Sequence, residues 1–307
     1  MQQFLKKILF FIIPIVLVTL TFEIYLRTLN TDYKQKNKGL IENYNNINIL
    51  ILGNSHGYNG INPSKFDLPA YNMAAGGQSL YFDKRITLKH IDKLKQLKYV
   101  LISVDYHSFY FSSQGIRDTW LYYDYGIKYK DKKEILSSLS YFWFGYTPRI
   151  AISEIKNRIL HSSENERTIS GWMPAHGTNE NQFTEKSLKY KGNWFNKEVR
   201  NSNEREEIIT DLDDFIVKLK EHNITPIFYT LPMYEGIYKY LDDDYLLQNE
   251  KDIEYLISKH NIFYWDLSKF SSQDKSLFLN QDHLNKKGAD KLTKELNALL
   301  IANFMKN

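Results

Sequence analysis

The chain has 307 residues, 43 % hydrophobic and 15 % aromatic, which is enough to bury one sizeable α/β core and too apolar for a disordered protein. Its 40 basic residues exceed the 36 acidic ones by only four and lie scattered, so nucleic acid is set aside as a partner. The absence of cysteine excludes disulfides, thiolate metal sites and cysteine nucleophiles; with no His-Glu-x-x-His pattern or similar helical pair, a histidine and carboxylate metal site is the weaker reading and no cofactor is expected.

Lys6 and Lys7 precede an apolar run from Ile8 to Phe22 that continues past Glu23 to Leu26. As a helix this run would reach about 28 Å at 1.5 Å per residue, close to a bilayer core of about 30 Å. Pro14 is placed to kink it, and Glu23 must lie near the interface, because a carboxylate deep in the bilayer costs several kcal/mol. No small-x-small cleavage site follows, so residues 1–28 read as an uncleaved membrane anchor rather than a signal peptide. Arg27, Lys34, Lys36 and Lys38 follow the run, a bias that does not itself support export of what comes after. Residues 29–46 are polar and rich in asparagine and lysine; without periodicity they read as a stalk, and the α/β domain then occupies 47–307.

That domain opens on Ile47-Asn48-Ile49-Leu50-Ile51-Leu52-Gly53-Asn54-Ser55-His56-Gly57. An apolar, β-branched run broken by Gly-Asn-Ser-His reads as a buried strand delivering one hydroxyl at its carboxyl end, where open α/β sheets place their ligands. A second strand, 70–75, runs into Gly76-Gly77-Gln78-Ser79, and a helix over 80–97 leads to a third, Tyr99–Val104, bounded by Asp105. Such βαβ units need right-handed crossovers and a parallel sheet. From about 109 to 203 the alternation is lost in an aromatic-rich insertion that reads as a lid or binding region, with a helix expected over 147–160. The α/β rhythm then resumes with helices over about 204–222 and 245–259, strands over 226–231 and 262–267, and a last helix over 286–304. Immediately before that helix lies Asn280-Gln281-Asp282-His283-Leu284-Asn285-Lys286-Lys287-Gly288-Ala289.

A serine after the first strand, glycines after the second, a polar residue after the third and a histidine before the final helix is an order that resembles the SGNH (GDSL-type) hydrolase superfamily. The resemblance is particularly to its membrane-anchored bacterial branch in surface-polysaccharide and cell-wall modification. The resemblance implies a flavodoxin-like, three-layer α/β/α domain with a mostly parallel sheet. It also implies Ser55 as nucleophile, His283 as base, an acidic residue orienting the imidazole, and an oxyanion held by the backbone N–H groups of Ser55 and Gly77, with Gly53 and Asn54 shaping the serine turn. Gly77 has an alternative reading, since a glycine also serves where φ is positive. Two residues depart from the pattern. Asn280 stands where the acid is usual, leaving either Asp282, adjacent to His283, as the alternative carboxylate or a serine-histidine dyad. Asp105 stands in the block that would supply an oxyanion amide, and reads as a positioning residue that bonds the Ser55 loop. His56 and His107 lie near the same edge but read as structural.

Three functions remain open at this level, the third being a lipid-directed esterase if the aromatics of the insertion face the membrane. The first is an anchored serine esterase or O-acyltransferase acting on a cell-surface carbohydrate at the outer face of the bacterial cytoplasmic membrane. Its partners would be a carbohydrate or acyl-ester substrate, the membrane and, for a transferase, a membrane acyl-donor protein. The second is a catalytically degenerate binding or assembly component of a surface-polysaccharide pathway.

Overall fold

The computed structural model describes residues 2–28, 30–113, 115, 117–130 and 170–305. The expected helix over 147–160 and the aromatic cluster Tyr141–Phe144 lie outside them.

Five strands form one sheet: β1 (Ile49–Ile51), β2 (Ala70–Asn72), β3 (Tyr99–Ser103), β4 (Thr225–Thr230) and β5 (Phe263–Asp266). Their order is β2-β1-β3-β4-β5, and every pairing is parallel. This is the flavodoxin-like doubly wound arrangement, and it follows from strands such as β1 and β3 that are buried along their whole length and carry apolar residues on both faces.

Alternation along the strands divides the core. Ile49, Ile51, Leu101, Ile227 and Tyr229 pack on one face with Leu292, Leu296 and Leu300. Those three leucines come from the last helix, Lys286–Phe304, whose bounds match the expectation from its apolar spacing. Leu50, Val100, Ile102 and Phe228 are left for the opposite face, as are buried Phe82 and Ile86 of a helix at Leu80–His90 and Phe215, Ile216 and Leu219 of a helix at Arg205–Glu221. A helix at Asp243–His260 leads into β5 and ends on Asn261 in the left-handed conformation.

The described residues of 38–113 and 170–305 form one compact unit, and those of 1–37 and 115–130 another. The second unit contains α1 (Gln2–Thr28), whose apolar window has a mean hydropathy of 2.4 and none of it buried, so it is long and apolar enough to cross a membrane. Near its end Arg27 pairs with Glu23 at 2.5 Å, which partners the one acid of the run, and donates to Tyr123 Oη at 3.0 Å. Tyr123 belongs to a helix at Arg117–Tyr125 in the expected insertion, and the same helix supplies Asp124, which accepts from Thr31 Oγ1 at 2.5 Å.

Residues 32–42, expected to lack regular structure, are instead a helix, α2 (Asp32–Glu42). Its buried Tyr33, Lys36 and Leu40 explain the difference: spacings of three and four do mark a face, but one carrying a lysine and a tyrosine, which an apolar count passes over. Residues 185–200 of the insertion are also helical, capped by Thr184, with Leu188, Phe195 and Val199 buried. Numbering the helices in chain order, the six-residue Ser55–Gly60 is α3, Leu80–His90 is α4, Arg117–Tyr125 is α5, Glu185–Arg200 is α6, Arg205–Glu221 is α7, Asp243–His260 is α8 and Lys286–Phe304 is α9.

Candidate active site

In the sheet order the chain reverses direction of winding between β1 and β3, and ligands of open α/β sheets bind at such a switch point. Ser55 follows β1 and Asp105 follows β3, so both stand there. The turn carrying Ser55 is tight. Gly53 has φ +130°, and a Cβ on it would lie 2.5 Å from Ser103 Cβ, so only glycine fits. Asn54 caps α3, its Oδ1 accepting from His56 N at 2.8 Å, while its Nδ2 donates to Asp105 Oδ2 at 2.9 Å. Ser103 Oγ donates to the same Asp105 oxygen at 2.6 Å. Asp105 thus bonds the serine turn to β3, and its carboxylate occupies the position where the resemblance would place an amide.

The second half of the site is a short antiparallel hairpin that the sequence did not reveal, β6 (Phe278–Asn280) against β7 (His283–Leu284), with Asn280 opposite His283. Asn280 Oδ1 accepts from the backbone N–H groups of Asp282 at 3.1 Å and His283 at 2.9 Å, and lies 3.0 Å from His283 Nδ1. Two backbone donors on that oxygen fix the amide's orientation. Asp282 Oδ1 is 3.1 Å from the same Nδ1. Both neighbours of Nδ1 are acceptors, so Nδ1 carries the proton and Nε2 the lone pair, the tautomer a general base needs.

The Asp282-His283-Leu284-Asn285-x-x-Gly288 stretch owes its remaining residues to packing. Asn285 Oδ1 caps α9 by accepting from Gly288 N at 3.1 Å, and its Nδ2 donates to Ser276 O at 2.8 Å. A Cβ on Gly288 would meet Leu277 O at 2.1 Å. Gly288→Ala is therefore expected to destabilise the fold by about 1–3 kcal/mol or more, read as a lowered denaturation midpoint; an unchanged midpoint would refute the close approach.

Sequence reasoning missed Lys191, which α6 brings in from the insertion. Its Nζ lies 2.8 Å from Asp282 Oδ2 and rests over the rings of Trp194 and Phe195 at 4.6 and 4.8 Å. Burial alone would raise the Asp282 carboxyl, but the charges of His283, Lys191 and His56 outweigh it and hold the group well below the usual carboxylate range. Removing the cation leaves Asp282 to favour protonated imidazole more strongly. Lys191→Met is thus expected to move the acid limb of the pH–rate profile upward, and a downward shift or none would contradict this electrostatic role.

His56 and His107, read from the sequence as structural, belong to the same buried cluster. The His56 ring sits edge-on to His283 at 5.3 Å and to His107 at 5.8 Å between centroids. Its Nδ1 is 3.3 Å from Asp105 Oδ2 and its Nε2 4.0 Å from Asp282 Oδ2. Burial opposes its charged form, yet Asp105 and then Asp282 more than compensate, and its pKa is raised. His107, stacked on Phe195, is pushed down to about 4 by burial and by the charge on His56. A raised pKa means that folding favours protonated His56; that stabilisation is complete below about pH 6.5 and is lost as pH rises through the folded-state value. The melting temperature should accordingly decline on the alkaline side, and His56→Asn should flatten that decline. A profile identical in the two proteins would exclude the effect.

Among the described residues, His56, Asp282 and His283 also offer three metal-ligand atoms within 4.8 Å of one another. A search for helical pairs misses this group because it joins two distant segments. Lys191 already pairs with Asp282 Oδ2 in this group. Gly77 has φ +69°, which favours glycine at that turn whatever its other role. Ser55 begins α3 half-buried beside His56, and among the described residues no hydrogen bond joins its Oγ to His283. Catalytic hydrogen bonds are commonly long before substrate binds.

Fold and site together describe a flavodoxin-like α/β domain in which His56, next to Ser55, packs edge-on to an oriented His283. No family model matches the chain, and no curated protein matches it. Among solved structures it is similar to the psychrotrophic esterase EstA from Pseudoalteromonas sp. (12 % identity, 85 % of this chain and 99 % of that one, TM-score 0.41). It is also similar to Axe2, an acetyl-xylooligosaccharide esterase from Geobacillus stearothermophilus (11 %, 83 % and 93 %, TM-score 0.39). A third is a lipase/acylhydrolase from Enterococcus faecalis (10 %, 83 % and 96 %, TM-score 0.39). The likeness is thus to esterases and acylhydrolases, the SGNH type that the motifs resemble.

Proposed function

We propose that this chain is an acyl-ester hydrolase or O-acyltransferase in which Ser55 is the nucleophile and His283 the general base. The observation that carries the reading is the double contact at His283 Nδ1, with Asn280 Oδ1 at 3.0 Å and Asp282 Oδ1 at 3.1 Å, which leaves Nε2 as the acceptor of a ring packed edge-on to His56, the residue after Ser55. Ser55 Oγ attacks the acyl carbonyl as its proton passes to Nε2. The backbone N–H groups of Ser55 and Gly77 receive the oxyanion, and the alcohol leaves with the proton from His283. Water or a sugar hydroxyl then resolves the acyl-enzyme by the same relay. Asn280 orients the imidazole, and Asp282 supplies the charge that stabilises its protonated form.

A carbohydrate ester suits the rim, where Tyr190 and Trp194, one turn apart on α6, remain 73 % and 42 % exposed near Lys191. Flat, exposed aromatics are suited to stacking on sugar rings. The helix α1 serves as the membrane anchor, residues 29–46 join it to the domain that begins at 47, and that domain works on the extracytoplasmic side. The test is ester turnover by the full-length protein in detergent micelles, with acetylated oligosaccharide as acyl donor. Release of acetate supports hydrolysis, and acetate appearing on an added sugar supports transfer. Neither product, from a folded protein, would oppose both and favour the second reading, a binding or assembly component. That reading draws on Asp105, whose buried carboxylate would repel an oxyanion where an amide is expected.

A further inference from the structure

On the proposed reading, the two oxyanion donors come from separate turns, Ser55 N after β1 and Gly77 N after β2. Strand pairing between β1 and β2 ends at Ile51 opposite Asn72, before either turn. Beyond that the backbone links are Met73 N to Ile51 O at 2.8 Å and Ala75 N to Gly53 O at 3.0 Å. The Asn72 side chain links the segments behind the turns, donating to Gly57 O at 2.9 Å and accepting from Ala74 N at 3.0 Å, and Asp83 joins the turns themselves. Asp83, in the first turns of α4 and only 1 % exposed, accepts at Oδ1 from Gly53 N at 3.2 Å and from Gln78 Nε2 at 2.6 Å. Gln78 Nε2 also donates to Met73 O at 3.1 Å, which braces the second turn against its own strand.

We infer that Asp83 is a positioning residue, its Oδ1 clamping the serine turn and the glycine turn in one register so that the N–H groups of Ser55 and Gly77 converge on a single oxygen. The turns it joins rest on glycines, whose conformational freedom leaves the backbone to be held from outside. Gly53 and Gly77 both have positive φ, and the first has no room for a side chain. Stability alone does not account for the residue. Both of its donors are neutral, and the neighbouring Lys84 turns away to Asp211 and Asp214. Facing it from β4 is the Tyr229 phenol, which burial keeps protonated. Burial, offset only in part by the bonds from Gln78 and Gly53, pushes the Asp83 carboxyl up to about 7. A buried acid without a cation costs folding energy, and the geometry of the two turns is what it supplies in return.

The experiment compares Asp83→Ala and Asp83→Asn in the full-length protein in detergent micelles, measuring kcat and KM for p-nitrophenyl acetate together with hydrogen exchange at the Gly53 amide. Asp83→Ala is expected to lower kcat by about 10²-fold with KM changed less than about threefold, since misplacing reacting groups by an ångström costs about that much. Asp83→Asn keeps an oxygen acceptor and should recover kcat to within about tenfold of the native protein. Exchange at Gly53 should quicken in the alanine variant and not in the asparagine one. Native kcat in a folded Asp83→Ala protein, or equal damage in both variants, would overturn the clamp. If Asp83→Ala does not fold, Gln78→Ala removes one arm and is judged by the same fall in kcat. Should the native protein turn over no ester, the proposed function fails, and Gly53 exchange alone decides the clamp: unchanged exchange in Asp83→Ala overturns it.

Discussion

Ser55→Ala and His283→Ala should each lower ester turnover by on the order of 10⁴–10⁶-fold while leaving the fold intact. The two losses should not add, because nucleophile and base act as a unit and removing either leaves only binding and the oxyanion donors. Intact folding is expected because no described hydrogen bond depends on Ser55 Oγ, and because the β6–β7 hairpin is held by Asn280 through backbone N–H groups rather than by the imidazole. The double variant is the sharper test. If its loss were the product of the single losses, Ser55 and His283 would act independently and the relay would be excluded.

Asn280→Leu should be the most damaging change outside that pair, lowering kcat by about 10²–10⁴-fold. The size follows from what one oxygen does. Asn280 Oδ1 receives two backbone N–H groups and faces His283 Nδ1, so its removal frees the imidazole to adopt the other tautomer and leaves two donors of the hairpin unpaired. Asn280→Asp keeps the acceptor and adds charge beside the ring. It should retain activity, with its acid limb moved to higher pH because the added carboxylate favours protonated imidazole. Native kcat in Asn280→Leu would assign the orienting role to Asp282 alone.

What the sequence made legible follows from local pattern. The run from Ile47 to Leu52, broken by Gly-Asn-Ser-His, announces a buried strand and its turn without any tertiary information, and apolar spacing located α9 to the residue. The parallel sheet followed from alternating strands and helices, and its order then brought Ser55 and Asp105 to one edge. Contacts that join distant segments were not legible. Lys191 reaches Asp282 across some ninety residues, through a helix hidden in an aromatic-rich stretch, and a lysine there reads as solvent-facing until the packing is known. His56 and His107 each look like ordinary structural histidines; only the fold shows them ring to ring beside His283. Asp83 is the same case, an acid in an early helical turn that favourable dipole arguments would place at the surface, yet buried between two loops. The hairpin of β6 and β7 is too short for any periodicity to mark it.

The central claim is that His283 activates Ser55. It is tested most directly by treating the full-length protein with a fluorophosphonate and locating the adduct by peptide mass spectrometry, beside Ser55→Ala and His283→Ala. One adduct is expected, on Ser55, absent from Ser55→Ala and formed at a greatly reduced rate in His283→Ala. A folded native protein that takes no label, or an adduct that persists undiminished without His283, would contradict it.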